Sequence, residues 1–161
     1  MKKILVATAV AAAFGVSGVQ AAEDITVDVA VIGAGPAGIN CAYHLLRRGH
    51  MVDIYEEHAG AGGKARLGIP AYRLPREILD AEIASLLSVG IDAKVNVDIG
   101  DEITFDELRG QYDALYLALG AHTDKKTGIE GEDAEGVMSA VEMLRAIGDD
   151  VMPDFTGKRV V

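Results

Sequence analysis

In the stretch VIGAGPAG, Gly33, Gly35 and Gly38 stand in GxGxxG spacing, directly after a β-branched run and directly before a helical pattern. Each glycine meets a separate steric need. Gly33 permits a tight turn, Gly35 lets backbone approach a diphosphate, and Gly38 lets a helix pack close to a strand. Pro36 and Ala37 complete the loop and open the helix, whose exposed N–H groups and positive dipole end would receive phosphate charge without a basic side chain. Glu56 and Glu57 follow 23 and 24 residues beyond Gly33, where a carboxylate can accept hydrogen bonds from a ribose. Glu56 is the preferred acid; alternation along the strand would turn Glu57 to solvent, and an ordinary loop role for either is the alternative. The constellation predicts a dinucleotide site and does not choose between NAD and FAD.

The elements that must position these residues are readable from periodicity. Residues 25–32 form a buried strand pattern, 36–48 an amphipathic helix stopped by Gly49, and 51–57 a second strand, together a βαβ unit with an expected right-handed crossover. Pro75 suits the first position of a helix whose apolar face is Ile78, Leu79, Ile83, Leu86 and Leu87, ending at Gly90. Strands are expected at 91–100 and 112–120, with a short helix between them capped by Thr104 and Glu107. Ser139 and Glu142 repeat the capping signal for a helix ending near Gly148, and GKRVV at 157–161 looks like the start of a further strand. The expected fold class is α/β, a Rossmann-like domain with a parallel central sheet.

Composition narrows the functions. The 161 residues suit one domain, and a net charge of −10 with no basic stripe argues against nucleic acid. The single cysteine, Cys41, excludes an intrachain disulfide and a four-cysteine cluster, and reads as a small packing residue. His44, His50, His58 and His122 show no ligand spacing, so no metal site is assigned, and no side chain stands out as catalytic. Residues 1–21 carry Lys2 and Lys3, an apolar run and a small-residue end, the pattern of a secretory signal cleaved to leave Ala22 first. The run is short for a membrane anchor. A real signal implies a periplasmic or secreted protein; a cytoplasmic one is the alternative.

The segments GAGPAG, AGGKARLGIPAYRLPREILDAEI and YDALYLALGA resemble the glutamate synthase small subunit family, NADPH-dependent flavoproteins, over roughly residues 25–161. GIPAYRLP, residues 68–75, is the most specific part of that likeness. The resemblance implies that Gly33, Gly35 and Gly38 hold the FAD diphosphate, that Glu56 holds a ribose, and that Gly62 and Gly63 let backbone pass near the cofactor. It further implies that Arg66 and the 68–75 connector run along the flavin, that Val97 presents backbone to adenine, and that Ala118, Leu119, Gly120 and Ala121 form a turn in which Leu119 replaces a usual Thr. Tyr72 is expected to be a packed aromatic, with a flavin-stacking role as the alternative, while Arg73 and Arg76 read equally as a solvated pair or as phosphate ligands. Residues 22–156 would be the N-terminal part of an FAD-binding domain and 157–161 the beginning of an NADPH-binding domain that the chain lacks. The implied function is transfer of electrons from NADPH through FAD to an iron–sulfur or large synthase partner. A non-catalytic FAD- or NAD-binding module, or an inactive exported fragment, is the alternative.

Overall fold

The computed structural model describes residues 26–161; the expected signal segment at 1–21 lies outside the described residues. The elements run β1 (Asp28–Ile32), α1 (Pro36–Leu46), β2 (Met51–Glu56), α2 (Lys64–Leu67), α3 (Arg76–Leu87), β3 (Asp92–Val95), α4 (Phe105–Gln111), β4 (Ala114–Leu117) and α5 (Ala140–Gly148). The strands pair in parallel in the order β3-β2-β1-β4, with Val29 opposite both Val52 and Ala114. The order reverses between β1 and β4, and in such sheets ligands bind at the carboxyl ends of the strands beside that reversal.

Strand alternation divides the core. Val29, Val31, Val52 and Ile54 point to one face, where Ile39 and Ala42 of α1 and Leu79 and Ile83 of α3 cover them. Ala30, Ile32 and Tyr55 point to the other, where Leu108 of α4 is fully buried against them. Beside this second cluster lies a polar network: Lys94 Nζ donates to Asp53 Oδ2 at 2.5 Å, Tyr112 OH donates to the same oxygen at 2.5 Å, and the Tyr55 and Tyr112 hydroxyls are 2.8 Å apart.

The punctuation behaves as its chemistry requires, with several shifts. Helix α1 ends at Leu46, two residues before the expected end, and Gly49 turns away at φ 91°. Pro75 is the N-cap of α3 and Arg76 its first helical residue, one step later than expected. The strand expected at 91–100 stops at Val95 because Asn96 takes a left-handed φ of 56°. The strand expected at 112–120 is confined to Ala114–Leu117, since Tyr112 is the C-cap of α4. Residues 157–161 form no strand; Gly157 and Lys158 complete a turn closed by Lys158 N–H on Phe155 O at 3.0 Å, and the rest is exposed coil. Both capping signals are realised: Thr104 Oγ1 and Glu107 Oε2 each receive the other's backbone N–H, and Ser139 Oγ receives Glu142 N–H at 3.1 Å.

The 68–75 connector is a turn held at two points. Arg73 and Leu74 N–H both donate to Pro70 O, at 2.9 and 3.1 Å, and Leu74 packs against the core. Tyr72 is not a packed aromatic: it is 81% exposed at the turn tip, with the Arg73 guanidinium over its ring. Arg76 is neither a solvated partner of Arg73 nor poised for phosphate. It donates to the carbonyls of Ala65 and Ile69, tying the connector to α2.

Candidate functional site

The glycine loop is built by close backbone approach. Gly33 takes φ 104° and its N–H donates to Tyr55 O at 2.8 Å; a Cβ there would lie 2.5 Å from Ala118 O, so any side chain would push β1 and β4 apart. A Cβ on Gly38 would strike the Gly33 carbonyl oxygen, so only glycine lets α1 begin against the loop. Gly35, by contrast, faces open space apart from Gly63 Cα, 3.9 Å from where its Cβ would be. Its half-buried backbone, at the N-cap of α1 with no acidic residue in the first turn, is the part of the loop that opens onto space an anion could enter.

Above this loop lies one cavity of about 650 Å³, within the range of ligand clefts. The loop supplies Gly33, Gly35, Pro36 and Ala37; β2 and its end supply Glu56, Glu57 and His58. Gly63, Val97 and Ala118 to Ala121 also line it, with Gly68 and Ile69 of the connector, so most of the residues singled out from sequence meet at one place. Gly38, Gly62 and Arg66 do not. Gly38 lies beneath the loop, Gly62 packs near Ile83 and Leu79, and Arg66 pairs with Asp80 while its Nε donates to Ala61 O at 2.8 Å. These three shape the wall from behind.

Glu56 is buried, 5% exposed, and its carboxylate is held at both oxygens. Oε2 accepts Ala34 N–H at 2.7 Å, and Oε1 accepts both the His58 backbone N–H and His58 Nδ1–H at 3.0 Å. A carboxylate offers about four acceptor positions, so one remains for a ribose hydroxyl. Glu57 is the more exposed acid; its Oε1 lies 3.3 Å from His58 Nδ1 and 3.6 Å from His122 Nδ1. The donor atoms of Glu56, Glu57 and His58 fall within 4.8 Å of one another, an arrangement the hydrogen bonds already explain.

Sequence spacing scattered the histidines, but the fold gathers His58 and His122 on the cavity rim. Arg145 of α5 donates to His122 Nδ1 at 2.5 Å, and His122 Nε2 donates to Leu119 O at 2.5 Å, a tautomer assigned from these partners. The turn after β4 is thereby tied to α5. Helix α5 in turn rests on α2, where a Cβ on Gly148 would come 2.7 Å from Leu67 Cα. Leu67, Ile69, Val141 and Leu144 give the cavity an apolar wall. Of these, only Ile69 belongs to a segment singled out from sequence, the 68–75 connector; Gly148 read as a helix stop, and its packing role had no separate signal. Cys41 stands on α1 away from the cavity, and partial burial raises its thiol pKa, as suits an inert packing residue.

Among known proteins, residues 27–161 match the family described as pyridine nucleotide-disulphide oxidoreductase. The NADP(+)-dependent formate dehydrogenase subunit beta of Moorella thermoacetica is 42% identical over 134 residues, 82% of this chain and 19% of the relative. The glutamate synthase [NADPH] small chain of Escherichia coli K12 is 36% identical over 143 residues, 83% of this chain and 30% of the relative. FprA of Mycobacterium tuberculosis, solved in complex with NADPH, superposes with a TM-score of 0.71 at 25% identity, covering 83% of this chain and 32% of that one. The chain thus spans between about a fifth and a third of the length of these proteins. With the parallel α/β sheet and the glycine loop in place, this extended match establishes that the chain belongs to the pyridine nucleotide-disulphide oxidoreductase family.

Proposed function

We propose that the chain supplies the FAD-binding portion of an NAD(P)H-dependent flavin oxidoreductase that passes electrons from NADPH through FAD to an iron–sulfur partner. One observation carries the reading: the open backbone of Gly35, the first turn of α1 and the Glu56 carboxylate converge on a single cavity at the reversal of strand order. A dinucleotide needs those three features in that order, for diphosphate and ribose. The residues present fit the group, because the space a Cβ would fill at Gly35 is open and Glu56 keeps an acceptor position to spare.

In this reading Gly33, Gly35, Pro36, Ala37 and Gly63 would face the diphosphate, Glu56 and Glu57 the ribose, and Val97 the adenine, with Ala118 and Gly120 opposite. Gly38, Gly62 and Arg66 act by shaping the loop and wall. The flavin, when bound, supplies hydride acceptance and onward electron transfer. The chain's own part is to bind, orient and exclude water, for which the apolar wall of Leu67, Ile69 and Leu144 is suited. Relatives named as NADPH-linked subunits support a partner that takes the electrons. Among the described residues no helix is long and apolar enough to cross a membrane. A periplasmic or secreted location is proposed on the pattern of residues 1–21.

The test is the visible absorbance spectrum of the purified chain before and after incubation with FAD and desalting. A retained flavin band is the expected result. A colourless protein that still melts cooperatively would reject FAD binding and favour the folded, inactive fragment.

A further inference from the structure

The cavity holds a cation that the glycine-loop chemistry does not require. Lys64 is the first residue of α2 and lines the cavity. Its neighbour Gly63 takes φ 47° and lies so close to the phosphate-facing loop that a Cβ on it would sit 2.8 Å from Gly35 Cα. One residue on, the lysine side chain therefore starts within its own length of Gly35. Its stem passes Gly68, where a Cβ would meet Lys64 Cδ at 3.3 Å, and the rest of the side chain is exposed.

The other cations nearby are committed. Arg66 is held by Asp80 and Ala61 O, Arg76 by two carbonyls, and Arg145 by His122. The Lys64 ammonium makes no ion pair or hydrogen bond with any described residue, though its backbone carbonyl accepts Gly68 N–H at 2.9 Å. In a chain of net charge −10, this exposed ammonium group on the cavity wall has no internal acid to account for it.

We infer that Lys64 binds the diphosphate of the dinucleotide, adding a charge-assisted contact to the backbone N–H groups of the loop. The inference rests on the flavin reading above and deepens it: the site recognises a dinucleotide's diphosphate with a side-chain cation as well as with backbone.

The experiment titrates the full chain with FAD at low and at high salt, following flavin fluorescence, for wild type, Lys64→Met and Lys64→Arg. Met keeps the stem over Gly68 and removes only the charge. Lys64→Met is expected to bind FAD about tenfold more weakly at low salt. The gap should narrow at high salt, where the contact is screened, and Lys64→Arg should restore most of the affinity. Equal affinity of wild type and Lys64→Met at low salt overturns the inference. So does a deficit that salt does not narrow or that Arg does not repair, since that pattern belongs to packing. Wild type that binds no FAD at either salt rejects the flavin reading itself, and this assignment with it.

Discussion

Replacing Glu56 with Gln tests the logic of the site without any ligand. The change is nearly isosteric, but it exchanges a carboxylate for one carbonyl oxygen and one NH2. The carboxylate accepts three bonds, from Ala34 N–H, His58 N–H and His58 Nδ1–H. Whichever way the amide turns, its NH2 must face a backbone N–H. If the oxygen stays on Ala34, the His58 backbone donor is orphaned; the imidazole can change tautomer, and the backbone cannot. Because Glu56 is only 5% exposed, water does not compensate for the lost bond. Losing a charge-assisted bond and leaving a buried donor unmet should cost about 2–3 kcal/mol. For a domain of this size that is a fall in Tm of roughly 4–12 °C. Urea unfolding of apo-protein measures it as a shift in midpoint with unchanged slope. Glu57→Gln is the control: with 45% of its side chain exposed, it should change stability by less than about 0.5 kcal/mol. If the two variants unfold at the same midpoint, Glu56 does not hold the loop and the geometric argument for the site fails.

The Asp53 network sets a dependence on pH at both extremes. Partial burial works to raise the Asp53 pKa, but hydrogen bonds from Lys94 and Tyr112 outweigh it and hold the carboxyl below its ordinary value. Its contribution is therefore present above about pH 4 and lost as pH falls through the lowered folded value. Burial and the bonds to Asp53 and Tyr55 push Tyr112 well above the ordinary phenol range, and the Asp53 bond raises Lys94 against its own desolvation. These contributions are complete below about pH 10 and lost as pH rises beyond it. Tyr112→Phe should weaken both flanks of the Tm-against-pH curve, and a curve parallel to wild type would reject the network's role. Gly148→Ala should loosen α5, because the new methyl meets backbone of Leu67 and Arg66. The expected cost is about 1–3 kcal/mol with faster proteolysis around residue 139; unchanged proteolysis would show that α5 does not depend on that approach.

What could be read in advance followed from local signals. Gly33, Gly35, Gly38 and Glu56 declared themselves because strand, turn and helix all lie within a short span where sterics act between near neighbours. The caps at Thr104 and Ser139 are equally local. Strand lengths were overread where a single residue decided the ending, as at Asn96, whose left-handed backbone no apolar pattern announces. Tyr72 was misplaced because a turn tip exposes whatever residue stands there, aromatic or not. His122 and Arg145, 23 residues apart, make a bond only after α5 has docked, so neither periodicity nor spacing could pair them. Arg66 looked like a ligand contact by position, yet Asp80 in α3 claims its guanidinium first.

The central place of β1 has a consequence for the order of assembly. Its two partners come later in the chain: β2 lies near, but β4 joins across a separation of 85 residues, the span between Asp28 N–H and the Asp113 carboxylate. Pairings this distant are slow to close, and a chain emerging from synthesis makes the near one first. Until β4 is added, β2 can pair with β1 and the glycine turn can bend, but one edge of β1 stays bare. The wall at Ala118–His122 arrives only with β4, and α5 only after that, so the binding cleft is the last part of the fold to be completed.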